Sequence, residues 1–326
     1  YAEAYYNLGN VSHKLGKDQE AILSYQKAIK INPNYAEAHN NLGNVLVELG
    51  ETQEAFNCFK KTIQINPNNF DAHNNLGNLL KESGKIHDAV ACYKKAIEIN
   101  PDYVNAHNNL GTMFQKSKNF QEAISCYKKA VKLLPNFASA HNNLGLIFHE
   151  LGEFQKAKSS YQKAIQIQPN YASAHNNLGM MFRELGEFKK AISSYQMAIK
   201  IQSNYVAAHH NLGVVFQKMR EHQKMLGQRV RELMSAKGFE SLAADGYGAP
   251  GVVVAYTDDP DIQNGSKFAA VGVQTAAGVP LMCDEPPDFR TFRVGLFGLD
   301  KLLNIDRTVE ALKNSIDSVT RASNIR

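Results

Sequence analysis

The chain has 326 residues, of which 44% are apolar and 21% are charged. These fractions are typical of a folded globular protein and exclude a chain that is disordered throughout. No stretch approaches the ~18 uninterrupted apolar residues of a membrane-spanning helix, so we expect no membrane span. Four cysteines are too few for a domain held together by disulfides, which favours a reducing, cytoplasmic location.

The net charge of +5 is unevenly spread along the chain. Residues 1–224 contain 25 Lys and Arg against 18 Asp and Glu, whereas residues 225–326 contain 11 against 13. The first part therefore favours acidic partners. Its lysines are scattered in pairs such as Lys60 and Lys61, without the dense basic cluster and interleaved aromatic residues of a nucleic-acid binder, so no nucleic-acid partner is expected.

The first two-thirds of the chain repeats with a period of 34 residues. Each unit contains a Leu-Gly pair, then an Ala, then a Tyr or Phe four residues after that Ala, and five units close with a Pro. Apolar residues recur every three or four positions in each half of a unit, which predicts two amphipathic helices per unit. The Leu-Gly pairs end at Gly9, Gly43, Gly77, Gly111, Gly145, Gly179 and Gly213.

These positions, L-G…A…Y/F…A…P, resemble the tetratricopeptide repeat family, over six full units and a partial seventh in residues 1–221. The resemblance implies an α-solenoid superhelix of helix pairs whose concave face holds a protein partner, commonly an extended peptide. The chain starts with Tyr1 rather than Met, which indicates a fragment or a processed chain. Because this first repeat has no preceding cap, self-association through the N-terminal end is expected.

One Asn recurs in every unit, two residues before the Gly. Its placement resembles the asparagine ladder of the O-linked N-acetylglucosamine transferase repeats, which lines the groove there. An amide offers donors and an acceptor, so it can pair with a peptide backbone; alternatively, these side chains bond to neighbouring helices. The predicted peptide-binding residues, called the ladder asparagines below, are Asn7, Asn41, Asn75, Asn109, Asn143, Asn177 and Asn211.

A His and a Cys also recur with the 34-residue period, and each series could in principle have a chemical role. Metal ligands must all lie ~2 Å from one ion, whereas neighbouring helices pack on the order of 10 Å apart, so the repeated His is expected to pack and no metal site is predicted. Cys58, Cys92 and Cys126 also recur every 34 residues. Equivalent positions in successive repeats are expected to lie farther apart than the ~7 Å between Cα atoms that a disulfide allows, so these cysteines are expected to pack. The His series is His39, His73, His107, His141, His175 and His209.

The repeat pattern is lost after residue 221. A helix is predicted from about Glu221 to Lys237, strands over 251–256 and 291–298, a short helix over 266–278, and a closing amphipathic helix over 304–322. Asn304 or Asp306 is placed to cap this last helix. Together these elements predict a small α+β domain over residues 222–326.

Residues 222–322 resemble the C-terminal small domain of class V aminotransferases, in the alanine–glyoxylate and serine–glyoxylate group. The resemblance rests on residues 249–265, 276–281 and 291–302, and implies that Arg293 binds a substrate carboxylate. The alternative is an ordinary ion pair. Pyridoxal phosphate also requires a Schiff-base lysine and a phosphate cradle, which that family supplies from a preceding large domain. In this chain the repeats occupy the position of that large domain. We therefore expect no pyridoxal phosphate unless another chain completes the site.

The sequence therefore predicts a mostly α protein, with a tetratricopeptide α-solenoid over 1–221 followed by an α+β domain over 222–326. The predicted function is a non-enzymatic scaffold that binds a protein or extended peptide in its groove, with acidic segments preferred and with no catalytic residue. Two alternatives stay open. One is a fragment of an aminotransferase that needs a complementary large domain, and the other is the regulatory repeat region of a glycosyltransferase.

Overall fold

The computed structural model describes residues 1–239, 252–257, 259–263, 266–270, 276–277, 291–295 and 304–323. The chain divides into two compact units, Tyr1–Ala174 and His175–Arg326. Six helix pairs follow the predicted repeat. The first helices are α1 (Ala2–Lys14), α3 (Ala36–Glu48), α5 (Phe70–Glu82), α7 (Val104–Lys116), α9 (Ala138–Glu150) and α11 (Ala172–Glu184). The second helices are α2 (Asp18–Ile31), α4 (Thr52–Ile65), α6 (Ile86–Ile99), α8 (Phe120–Leu133), α10 (Phe154–Ile167) and α12 (Phe188–Ile201).

The turn between the two helices of a repeat depends on one backbone conformation. A residue with positive φ follows each first helix, and in five repeats it is a Gly, such as Gly50 at φ 80°. The next residue closes the turn, because the Glu51 N–H donates to the carbonyl of Leu46 at 2.8 Å. The fourth repeat places Lys118 in this conformation, at φ 59°, where a side chain costs more than the Gly of the other repeats.

The seventh repeat does not turn. Helix α13 runs from Val206 to Ala236 without a break, and Arg220 stands where five earlier repeats have the Gly and the fourth has Lys118. The predicted helix from about Glu221 is therefore the second half of α13. The predicted boundary between residues 221 and 222 falls inside this helix.

A buried aromatic residue of the second helix packs against the Gly of the first helix in each of the six full repeats. A Cβ atom built on Gly43 would lie 2.6 Å from Cε1 of Phe59, and one on Gly145 would lie 2.6 Å from Cε1 of Tyr161. Both rings are almost fully buried. The Gly therefore allows the two helices of a repeat to approach closely.

Residues after α13 form short elements within the second unit. Strands β1 (Val252–Tyr256), β2 (Ala276–Ala277) and β3 (Thr291–Gly295) make an antiparallel sheet in the order β1-β3-β2. Helices α14 (Pro260–Gln263), α15 (Ser266–Ala270) and α16 (Ile305–Ser323) accompany them. Of the short helix expected over residues 266–278, residues 266–270 are helical, whereas residues 276–277 form β2.

The described part of this segment has its own apolar core. Leu226, Val230 and Met234 on α13 pack with Val253 of β1 and Ile316 of α16. Asn304 caps α16, since its Oδ1 accepts a hydrogen bond from the Arg307 N–H at 2.9 Å. Among the described helices, none is both long enough and apolar enough to cross a membrane.

Candidate functional site

The first helices line one face of the unit Tyr1–Ala174. Each first helix contacts the first helix of the next repeat, from α1 through α9, as well as its own second helix. Consecutive second helices make no comparable contact within this unit. The first helices therefore crowd together on the inner side of the stack, and we call their shared face the groove.

The ladder asparagines of this unit, from Asn7 to Asn143, lie on this face, and most of them bond to the preceding repeat. Nδ2 of several ladder residues donates to an Asn Oδ1 of the preceding repeat, so the alternative expected from the sequence, bonding to neighbouring helices, is present. The bonds are Asn41 to Asn10 at 2.9 Å, Asn75 to Asn44 at 2.9 Å, Asn109 to Asn74 at 2.9 Å and to Asn78 at 3.1 Å, Asn143 to Asn108 at 3.2 Å, and Asn211 to Asn176 at 3.0 Å.

The buried tyrosines of the second helices join the same network. The Tyr25 hydroxyl donates to Oδ1 of Asn10 at 2.8 Å, and the Tyr93 hydroxyl donates to Oδ1 of Asn78 at 2.8 Å. One amide oxygen thus accepts from its own repeat's second helix and from the next repeat's first helix. This arrangement ties three helices together at each junction where it occurs.

The ladder amides keep some hydrogen-bonding capacity towards the groove. A carbonyl oxygen accepts two hydrogen bonds, and Oδ1 of Asn75 accepts one, a long contact of 3.4 Å from Nδ2 of Asn74. Oδ1 of Asn41 has the same single contact, from Asn40. Most ladder side chains are partly accessible, Asn177 is buried, and Asn7 is exposed. An extended ligand in the groove would therefore meet acceptors more than donors.

A pocket of 310 Å³ opens in the groove of the first three repeats. Its size is at the lower end of the roughly 300–1,000 Å³ range of ligand pockets. The lining combines amides, two carboxylates and apolar side chains, and includes no Lys or Arg. It consists of His13, Asn44, Val47, Glu48, Phe59, Asn75, Asn78, Leu79 and Glu82. Apart from Asn75, these residues were not singled out from the sequence.

The repeated histidines stabilise the turn between repeats. The ring Nε2 of His39 lies 3.0 Å from the Pro33 carbonyl and must donate, because a carbonyl only accepts. Burial lowers the pKa of His39, which favours the neutral ring. The same bond joins His73 to Pro67, His107 to Pro101, His141 to Pro135 and His209 to Ser203. These rings therefore hold the turn, a role beyond the packing that the sequence suggested.

One cluster of metal-ligand residue types occurs in the described part of the chain, formed by His13, Asp18 and Glu48. Nδ1 of His13 lies 3.1 Å from the carboxylate of Asp18, and Nε2 lies 3.7 Å from that of Glu48. The two carboxylates face opposite nitrogens of one ring. Only one nitrogen of the ring can bind a given ion, so a shared ion would engage at most one of these two contacts.

The described cysteines are half-buried and free of disulfides. Burial raises the pKa of Cys58 and of Cys126 to about 11, and it also raises the pKa of Cys92. A thiol needs its deprotonated form to react. At neutral pH these side chains therefore behave as small packing residues.

The buried tyrosines predict that the protein loses stability in alkali. Burial raises the pKa of Tyr127 to about 12, against about 10 in an unfolded chain. The folded state thus favours the protonated phenol, and this contribution is complete below pH 10 and lost as the pH rises from 10 towards 12. Urea titrations at pH 8 to 11.5 should show a falling free energy of unfolding. The decline should be shallower in Tyr127→Phe, and an equal decline in both proteins would contradict the assignment.

Arg293 lies in the middle strand of the sheet. Its backbone pairs with Val254 of β1 and Ala276 of β2. The side chain lies outside the described part of the structure, as does Lys301. Lys267 pairs with Asp259, and Lys313 lies 3.3 Å from Glu310. The carboxylate-binding role of Arg293 stays a prediction.

Family models of the repeat match most of the region described above. A TPR repeat model matches residues 9–50, 43–84 and 77–118, and a tetratricopeptide repeat model matches residues 102–170 and 136–204. Together these matches run from residue 9 to residue 204, which is more than half of the chain. No curated protein matches the sequence.

Solved structures share the fold. The crystal structure of the APC/C hetero-tetramer Cut9–Hcn1 aligns with a TM-score of 0.61 at 18% identity, over 66% of this chain and 42% of that chain. The Pseudomonas aeruginosa pilF structure aligns with a TM-score of 0.57 at 20% identity, over 64% of this chain and 95% of that one. YrrB, described as a TPR protein with an unusual peptide-binding site, aligns with a TM-score of 0.46 at 24% identity, over 57% and 96%.

Proposed function

We propose that this chain, which belongs to the tetratricopeptide repeat family, is a protein-interaction scaffold that holds an extended peptide in the groove of its first helices. Repeat proteins of this family are protein-binding scaffolds in general. The particular support here is the row of ladder asparagines on the groove face, each spaced one repeat from the next. In this proposal, peptide N–H groups donate to the ladder oxygens.

The inter-repeat bonds restrict how the ladder acts. Both N–H groups of Asn41 are used within the protein, one with Asn10 and one with the Tyr6 hydroxyl at 3.2 Å. Both N–H groups of Asn109 are used as well. At these positions a peptide is therefore held mainly through the amide oxygen. Backbone pairing of this kind gives affinity without a strict requirement for particular side chains.

Backbone chemistry of the ligand gives the cleanest test, because substituting a ladder residue also removes an inter-repeat bond. An array of extended peptides is first screened for binding to the whole chain. The binding peptides are then remade with N-methylated amides, which cannot donate. We expect a loss of about 1–3 kcal/mol for each ladder acceptor left unpaired. Methylation of amides at the peptide ends serves as the control, and unchanged binding of fully methylated peptides would contradict the proposal.

Partner charge and self-association are finer parts of the proposal. The excess of Lys and Arg in residues 1–224 favours acidic segments, and the same peptide array tests this preference.

The N-terminal repeat exposes Leu8, Val11 and Leu15, which supports contact with a second copy. Light scattering across a concentration series measures that association, and a constant monomeric mass would exclude it.

The remaining parts of the sequence prediction stand as predictions. These are the small α+β domain over residues 222–326, the aminotransferase or glycosyltransferase origin, the lack of enzymatic activity and the cytoplasmic location. Spectroscopy with added pyridoxal phosphate tests the aminotransferase alternative, because an internal aldimine absorbs visible light. Such a band would contradict the expectation that the chain has no competent lysine site.

A further inference from the structure

The 310 Å³ groove pocket lies where the second repeat departs from its neighbours. The full repeats carry a Tyr at the buried aromatic position of the second helix, except that the second carries Phe59. Phe59 is 1% exposed, lies against Gly43 and lines the pocket. The pocket therefore lies where a tyrosine hydroxyl is absent.

Because the second repeat lacks this hydroxyl, Oδ1 of Asn44 can accept one more hydrogen bond. In the first and third repeats, Oδ1 of Asn10 and of Asn78 each accepts two hydrogen bonds, one from a Tyr hydroxyl and one from a ladder amide. The equivalent Oδ1 of Asn44 accepts one bond, from Asn75 at 2.9 Å. Asn44 lines the pocket, so its second lone pair is available to a donor placed there.

The charge around this acceptor is negative, although the whole chain has a net charge of +5. Glu48 and Glu82 occupy equivalent positions on α3 and α5, and both line the pocket. Among residues 1–239, neither carboxylate pairs with a Lys or Arg, and Nε2 of His13 lies 3.7 Å from the carboxylate of Glu48. Val47 and Leu79 provide apolar walls beside these groups. An alkyl stem that ends in a cation matches this combination.

We propose that this pocket receives a lysine or arginine side chain of the peptide bound in the groove. The ammonium or guanidinium group donates to Oδ1 of Asn44 and to the carboxylates of Glu48 and Glu82, while the methylene stem lies against Val47 and Leu79. Hydrogen bonds between charged groups are stronger than those between neutral ones. The inference rests on the groove function proposed above and adds a local preference for a basic residue at this position.

Four peptides test the pocket with the whole chain. Each is an acetylated and amidated ten-residue peptide of Gly, Ala, Ser and Thr with one central residue, which is Lys, Arg, norleucine or Glu. Binding is measured by calorimetry in the presence of EDTA, so that no metal bridges the carboxylates. We expect the Lys and Arg peptides to bind about tenfold more tightly than the norleucine peptide, and the Glu peptide to bind most weakly.

Phe59→Tyr separates binding from folding. Its hydroxyl is expected to donate to Asn44, as Tyr25 and Tyr93 do to their partners, and so to occupy the acceptor that the peptide cation would otherwise use. This variant should melt at the same or a higher temperature and prefer Lys over norleucine less strongly than the unmodified chain. Glu82→Gln should reduce the preference, whereas Glu150→Gln, at the equivalent position of the fifth repeat, should leave it unchanged.

The outcomes separate this inference from the groove function. Equal binding of the Lys and norleucine peptides to the unmodified chain overturns the pocket inference while leaving the groove function intact. An undiminished preference for Lys in Phe59→Tyr overturns it as well. No binding of any of the four peptides contradicts both proposals.

Discussion

Replacing Gly145 by Ala is expected to lower the free energy of unfolding by about 1–3 kcal/mol, the usual cost of overpacking a core. The added Cβ would lie 2.6 Å from both Cδ1 and Cε1 of Tyr161. That ring is 0% exposed and belongs to the packed interface between α9 and α10, so it cannot move away without displacing its neighbours. Urea denaturation followed by far-UV circular dichroism measures the change.

The seventh repeat provides the matched control. Gly213 stands at the same repeat position, but a Cβ there would meet nothing within 4 Å. Ala is favoured over Gly in a helix interior by up to about 1 kcal/mol, so Gly213→Ala should be neutral or stabilising. The two variants make the same chemical change and should shift stability in opposite directions. A similar shift in both would mean that the aromatic contact does not restrict this position.

The second large effect on stability is expected for Asn109→Ala, at the centre of the ladder. In Asn109→Ala, Oδ1 of Asn74 loses its donor at 2.9 Å, and Oδ1 of Asn78 loses one of its two donors, at 3.1 Å, and keeps the Tyr93 hydroxyl. Asn74 is 4% exposed, so water cannot readily replace the lost bond. We expect the free energy of unfolding to fall by about 1–3 kcal/mol. Thermal and urea denaturation of the two proteins measure the difference.

Asn7→Ala is the control for the ladder, because Asn7 holds the same repeat position, is exposed, and makes no inter-repeat bond among the described residues. Its stability should change by less than ~0.5 kcal/mol. Asn109→Asp keeps the size of the side chain but cannot donate when ionised, so it should lose at least as much as Asn109→Ala. If Asn109→Ala matched Asn7→Ala, the inter-repeat bonds would contribute nothing measurable.

The helix pairs could be predicted because their determinants are local. The 34-residue period, the apolar spacing and the Gly that accommodates an aromatic ring are all visible in the sequence. The loss of the repeat pattern after residue 221 was also visible, but the continuous helix was not, since Arg220 stands at a position where Lys118 still turns the chain. Strand β2, with two residues, has no period to recognise, and its existence depends on pairing with β3.

The site was predictable only in part. The ladder could be placed on one helix face from its spacing, but the partners of an amide depend on distances between helices, which a sequence does not contain. The pocket depends on a single substitution, Phe59 among tyrosines, whose meaning emerges only when the hydroxyl of Tyr93 is seen to reach Asn78. The role of the histidines required knowing that the ring reaches back to a carbonyl six residues earlier.

The continuous helix α13 also has a mechanical consequence. Its first half packs on α12 of the last full repeat, and Leu226, Val230 and Met234 in its second half belong to the core that includes β1 and α16. No flexible linker separates these two contacts. A displacement of the strands would therefore reach the last full repeat through one continuous helix rather than through a loop.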